Sequence, residues 1–299
     1  MFYGFKKSRN TKSKRMMVGE VIKMGNIDNA LTKLQDAEFE VLLEIRRICE
    51  KYNLTYYLSG GTYLGAVRHQ GFIPWDDDMD IALPRSDYMK FTKVVKHELP
   101  SGMEFVAYDT NSEYKHPVAR INNNSVHIIN HSYKKDRIES AWVDIFPLDG
   151  MPSTKIAMQV HKVHLLWRRV MIGWANYQNL QELKPNRPWY EKCLMFIGKT
   201  LKPGRFMNLN KQYKKMEKVL MSIPDESSKV YMNFHGAYRF NSIMEKDFYY
   251  GDGAKYTFRG ELFNAPQNYD AYLKKIYGDY MKLPPEEDRN KHKTEVVVI

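Results

Sequence analysis

The stretch Trp75-Asp76-Asp77-Asp78-Met79-Asp80-Ile81-Ala82-Leu83 packs four carboxylates into five residues and then turns apolar. A strand sends successive side chains to opposite faces, so Met79, Ile81 and Leu83 share one apolar face. Asp78 and Asp80 then lie side by side on the other, with Asp76 in phase if the strand starts early. Carboxylates held that close repel and raise one another's pKa; a divalent cation removes the conflict. Mg²⁺ (or Mn²⁺) suits such a site, because it takes hard oxygen ligands, keeps several waters and is shared with substrate phosphates. The pattern points to metal-assisted phosphate chemistry. An exposed acidic edge is the competing reading, and the apolar alternation argues for a half-buried strand instead.

Two further features fit phosphate. Ser59-Gly60-Gly61-Thr62 precedes the acids and turns the chain into a helix, where free backbone N–H groups favour a bound anion. Arg68 and His69 end that helix as candidate phosphate contacts; an ordinary surface role explains them equally well. A third acid, Asp144, interrupts the apolar run Ala141-Trp142-Val143-Asp144-Ile145-Phe146-Pro147. A lone buried acid is costly unless paired or metal-bound, so Asp144 is a candidate ligand, with a turn cap as the alternative. Asp149, before Gly150, reads as a turn residue.

These residues need elements to hold them. Leu34, Val41, Ile45, Ile48 and Tyr52 recur at helical spacing and predict a helix over about 31–52, stopped by Asn53. Short strands are expected at Leu54–Leu58, Asp77–Leu83, Val118–Ile121, Val126–Ile129 and Trp142–Phe146. Short helices are expected at Thr62–His69 and Asp87–His97, with a loop at 71–75 because Pro74 cannot sit inside a central strand. From 155 to about 220 the pattern is helical, with one stripe of Ile156, Val160, Val163, Trp167, Val170 and Trp174. Phe206, Leu209, Tyr213, Met216 and Leu220 form another. Residues 230–264 read as strands and turns, 268–280 as a short helix, and Pro284-Pro285 as the start of a polar tail.

The 299 residues suffice for one large domain or two modest ones, and the 43% apolar and 27% charged fractions are those of a globular chain. No apolar run is long enough to span a membrane, and the basic N-terminus lacks the apolar stretch of a secretory signal. Two cysteines, Cys49 and Cys193, make no disulfide framework, so a reducing cytoplasm is the expected setting. The net charge of +11 is uneven. Residues 155–220 carry 14 Lys/Arg against three Glu, and residues 1–15 carry six and no acid, while the rest is net acidic. Two basic segments on an acidic body suggest an anionic partner, a solvated surface being the alternative. No nucleic-acid-binding motif is present, so nucleic acid is not the expected partner.

The run Leu58-Ser59-Gly60-Gly61-Thr62, Gly65-Ala66-Val67-Arg68-His69, Gly71-Phe72-Ile73-Pro74-Trp75 and on to Asp80-Ile81 closely resembles the signature of the LicD family. That family includes bacterial phosphocholine transferases and is related to the fukutin and fukutin-related ribitol-phosphate transferases. Val143 to Gly150, Pro117 to Ile121, Tyr256 to Arg259 and Tyr277 to Pro285 resemble its other blocks. The resemblance implies an α+β fold: a nucleotidyltransferase (polymerase-beta-like) core with a mostly helical insertion. The expected division is a basic arm (1–25), a catalytic core (26–154), a basic helical region (155–230) and a C-terminal segment completing the core (231–299). It further implies that Asp78, Asp80 and Asp144 bind metal and carry catalysis, with Asp144 as a ligand or as the base, and that Asp76 joins the metal shell. Gly60, Gly61 and Thr62 would cradle a donor diphosphate, and Arg68, His69, Arg120 and Arg259 would contact phosphate.

The implied activity is transfer of a phospho-alcohol from a CDP-linked donor to a glycan hydroxyl, with release of CMP. CDP-choline is the favoured donor, with ribitol and glycerol as the other alcohols. The acceptor would be a glycan or a lipid-linked oligosaccharide, met on the cytoplasmic face of the membrane. Trp167, Trp174, Trp189 and Phe196 among Arg168, Arg169, Lys192, Lys199, Lys202 and Arg205 suggest inner-leaflet contact through 155–220; packing against the body is the alternative. Two other functions remain open at this point: a nucleotidyltransferase moving a nucleoside monophosphate from a triphosphate, and a non-catalytic membrane or glycan adaptor.

Overall fold

The computed structural model describes residues 27–111, 113–130, 137–176, 196, 198, 200, 202–286, 289 and 294–297. The first helix, α1 (Ile27–Lys51), buries Leu34, Val41, Ile45 and Ile48 completely. Each such side chain contributes about 1.5–3 kcal/mol to holding the helix on the sheet. Asn53 ends it in the left-handed region, at φ 51°, as expected of a stop. Strand β1 (Tyr57–Leu58) leads through Ser59 into α2 (Gly60–His69). Then come β2 (Met79–Pro84), α3 (Arg85–Glu98), β3 (Met103–Val106), β4 (Ala119–Asn130) and β5 (Arg137–Leu148).

The main sheet is mixed, in the order β1-β2-β5-β4 with β3 also on β4. Only β2 and β5 run parallel, and in that register Asp80 stands beside Asp144. In the antiparallel β4–β5 pair Arg120 stands on the other side of Asp144. The two strands expected at 118–121 and 126–129 are one continuous β4. A register shift between Asn123 and His127 bends it, which explains why the sequence pattern breaks there.

Past the sheet lie α4 (Lys155–Ala175) and α5 (Leu209–Leu220), then β6 (Val230–Tyr231) with β7 (Met244–Glu245), and the hairpin β8 (Ala254–Phe258) with β9 (Glu261–Ala265). Helix α6 (Tyr269–Tyr277) starts at Asn268, whose side chain accepts from the Ala271 N–H. Phe258, Phe263, Ala265, Tyr272 and Leu273 share one apolar cluster with residues of α1, β1, β2 and β5. Tyr63 on α2 donates a 2.6 Å buried hydrogen bond to the Pro266 carbonyl, locking the glycine-turn helix to this C-terminal part.

Two expectations need correction. The segment after Pro284-Pro285 is not simply a polar tail: β10 (Thr294–Val297) pairs antiparallel with β4 and forms an outer strand of the sheet. Asp149 is no turn residue. It is fully buried and takes both arms of Arg85, at 2.6 and 3.0 Å, while Arg85 also reaches Glu217 at 2.7 Å. His235 Nε2 lies 2.8 Å from the other Glu217 oxygen. This buried network ties β5, α3, α5 and the loop after β6 together. The arm 1–25 and Trp189, Lys192, Cys193 and Lys199 lie outside the described residues.

Candidate functional site

The acids come together from two different local structures. Strand β2 begins at Met79, two residues later than expected, so Asp80 sits on the strand while Asp76, Asp77 and Asp78 sit in the turn before it. That turn is held from both sides: the Asp76 N–H donates to the Ile73 carbonyl at 2.9 Å, and Gln35 of α1 donates to the Asp76 carbonyl at 2.9 Å. One carboxylate oxygen from each of Asp76, Asp77 and Asp78 lies within 4.8 Å of the others. Met79, Ile81 and Leu83 are fully buried, as the alternation predicts.

Asp80 is anchored by its backbone. Its N–H donates to Thr62 Oγ1 at 2.8 Å, and its carbonyl accepts from the Ser59 N–H at 3.1 Å. Burial, with Asp78, Asp144 and Asp76 adding repulsion, pushes its carboxyl well above the ordinary range. The two glycines fit this crowd for a steric reason. Gly60 has φ +55°, and a Cβ there would stand 2.8 Å from Asp80 Oδ2; one on Gly61 would stand 2.7 Å from Asp76 Oδ2. The helix start is thus pressed directly against two carboxylates. Thr62 serves by holding Asp80 in place.

Asp76, Asp78, Asp80, Gly60 and Gly61 line one wall of a cleft of about 340 Å³. Tyr238, Tyr250, Tyr272 and Tyr277, from the C-terminal part, line another wall. These rings brace each other edge-on: Tyr238 with Tyr277 at 5.7 Å and Tyr250 with Tyr272 at 6.0 Å. Burial, with Tyr238, Tyr272, Asp80 and Asp76 nearby, keeps the Tyr277 hydroxyl firmly protonated.

The remaining sequence candidates divide. Arg120 is buried beside Asp144, Nε to Oδ1 3.4 Å, an ion-pair approach rather than a hydrogen bond, with its guanidinium stacked on Trp142 at 4.6 Å. Burial pushes the Arg68 pKa down, with Tyr277 and Asp76 opposing, and its head donates to the Tyr280 carbonyl and to His69 Nε2. His69 is thereby occupied, and burial and then Arg68 push its pKa down. Arg259 departs from the expectation. It pairs with Asp36 at 2.7 Å and lies over the rings of Phe39 and Phe72, and it is not among the residues that line the cleft.

The tyrosine wall and Glu38 escaped the sequence reading. The tyrosines are distant in sequence from the acids, and no short-range spacing links them. Glu38 carried a usable signal, since it falls on the helical apolar stripe between Leu34 and Val41 and is fully buried. Oxygen-only donors, three of them converging, and a buried carboxylate with no hydrogen-bond partner among the described residues make the acidic turn fit a hard divalent cation.

Comparison with known proteins bears directly on this site. Residues 53–173 match the family model described as LicD/FKTN/FKRP, nucleotidyltransferase domain. Over 251 residues the chain is 31% identical to the lipopolysaccharide cholinephosphotransferase LicD of Haemophilus influenzae, covering 82% of this chain and 89% of that protein. The chain belongs to the LicD family. The matched LicD domain holds the glycine turn, the acidic run, Arg120 and Asp144, whereas the cleft tyrosines lie beyond it. Uncharacterized proteins of Rickettsia typhi and Rickettsia prowazekii share 39% and 37% identity over 57 residues, 19% of this chain in each case, and 18% and 21% of their own lengths.

Proposed function

We propose that the protein is a LicD-type phosphotransferase that moves phosphocholine from CDP-choline to a hydroxyl of a cell-surface glycan precursor and releases CMP. The observation that carries this reading is the cleft itself, with acids on one wall and tyrosine faces on another. A quaternary ammonium is drawn to aromatic faces by cation–π attraction, whereas a polyol needs matched hydrogen-bonding groups. Tyr238 and Tyr277 would receive the choline head, placing its phosphate toward Gly60 and Gly61. The first turn of α2 offers backbone N–H groups to the diphosphate.

In the reaction the acceptor oxygen attacks the choline-bearing phosphorus. A new P–O bond forms as the P–O bond to CMP breaks, and the hydroxyl proton passes to a carboxylate. Asp144 is our choice for that proton, because the β2–β5 register sets it beside Asp80, with Arg120 as its ion-pair neighbour. Asp76, Asp77 and Asp78, which converge within 4.8 Å, with Asp80 next to them, would hold Mg²⁺ or Mn²⁺, which when bound would neutralise charge developing on the transferred phosphoryl group. The nucleotidyltransferase description of the matched family domain supports a polymerase-beta-like core for the sheet and α2.

We also read α4 as the membrane-facing element. Ile156, Val160, Val163 and Trp167 form an exposed apolar face, 81% for Ile156 and 65% for Val163, on a helix with four Lys/Arg and no acid. An anionic inner leaflet fits that combination, and would bring the enzyme to a lipid-linked acceptor.

The test is a donor screen: purified protein with a glycan acceptor and CDP-choline, CDP-ribitol or CDP-glycerol, scored by CMP. CMP should appear fastest from CDP-choline and stop on chelation. Pyrophosphate released from a nucleoside triphosphate, with no CMP from any CDP-alcohol, would instead mark nucleotidyl transfer.

A further inference from the structure

Glu38 is fully buried on α1, and neither of its carboxylate oxygens has a hydrogen-bond partner among the described residues. Such a group is rare, because burying an acid without partners is strongly unfavourable. Its position explains what it faces. Gln35 lies three residues earlier on the same helix face and donates to the Asp76 carbonyl, so this face of α1 is packed on the acidic turn. Burial pushes the Glu38 carboxyl up, and the charges of Asp78, Asp77, Asp76 and Asp80 add to that. A hard cation satisfies both oxygens and the facing aspartates at once.

We propose that Glu38 supplies a further carboxylate to the divalent-cation site formed by Asp76, Asp77 and Asp78, holding the ion, directly or through one of its waters, from the helix side behind the cleft. Two independent observations meet here: three oxygens converging within 4.8 Å and a buried acid with no hydrogen-bond partner among the described residues. The site thus reaches beyond the acids of the β2 segment and enlists the first helix. A cation held on that side fixes the acidic turn against α1 and so sets where Asp76 and Asp78 meet the cleft. This inference rests on the metal reading above.

The test is Mn²⁺ titration of the full chain without nucleotide, followed by electron paramagnetic resonance and by the melting temperature with and without Mn²⁺. Wild type should bind Mn²⁺ and melt higher with it. Glu38→Gln should bind at least about tenfold more weakly and lose most of that rise, the usual scale for a supporting ligand. Its melting temperature without metal should equal or exceed that of wild type, since a buried charge is gone. Glu38→Asp keeps the carboxylate and should fall between the two, which gives a second comparison if the Gln variant folds poorly. Equal Mn²⁺ affinity in wild type, Glu38→Gln and Glu38→Asp overturns the role of Glu38 while leaving the metal reading intact. No Mn²⁺ binding by wild type overturns both.

Discussion

At the scale of single residues, the site is a concentration of like charge stabilised by very specific neighbours. Asp80 is held by two backbone hydrogen bonds and crowded by Asp76, Asp78 and Asp144. Such an arrangement favours function over stability. Asp80→Asn should therefore melt no lower than wild type without metal, while CMP release falls by about 100-fold or more, the lower end for losing an essential acid–base or ligand group. A variant that turned over normally would remove Asp80 from the chemistry. The sequence made this residue legible because apolar partners alternate with it. It hid Glu38 because a glutamate on a helix ordinarily reads as solvated, and only its place on the Leu34–Val41 stripe spoke otherwise. Arg259 shows a related limit: its residue type suits phosphate, but its pairing with Asp36 on α1 is not visible from residue type.

Among the elements, the Arg85 network is the principal polar joint. Burial alone would push the Glu217 carboxyl up, but Arg85 and His235 outweigh it and hold it at about 2. A carboxyl lowered on folding stabilises the protein above its unfolded value near 4.5, and that gain disappears as pH falls toward 2. The contribution is on the order of 3 kcal/mol. Thermal melts of wild type and Glu217→Gln between pH 7 and 3 check this: the variant should be less stable at pH 7, and the gap should close on acidification. A constant gap would mean that Glu217 contributes through packing alone. None of these partners was legible beforehand, since Arg85, Asp149 and Glu217 are separated by 64 and 132 positions along the chain. Helix and strand types were readable from periodicity; pairings that depend on distant polar contacts were not.

For the molecule as a whole, the basic segment is the outstanding surface feature. Helix α4 packs inward through Met158, Leu165 and Ile172, leaving Ile156, Val160, Val163 and Trp167 outside. Among the described residues no helix is long and apolar enough to cross a bilayer, so contact would be lateral. Vesicles rich in phosphatidylglycerol should sediment the protein, neutral vesicles should do so less, and Trp167→Ser with Val163→Ser should cut binding several-fold. No sedimentation with either vesicle would leave α4 a bare surface. Periodicity showed the stripe of Ile156, Val160, Val163 and Trp167, but the face that packs on α5, through Met158, Leu165 and Ile172, was not read from it.

The apolar cluster that carries the tyrosines draws on residues from Val41 to Tyr280, and β10 adds its pairing later still. During translation the acidic row therefore emerges from the ribosome long before the aromatic surface that must face it. A nascent chain halted near residue 230 would hold Asp76, Asp78, Asp80 and Asp144 but none of the tyrosines that line the cleft.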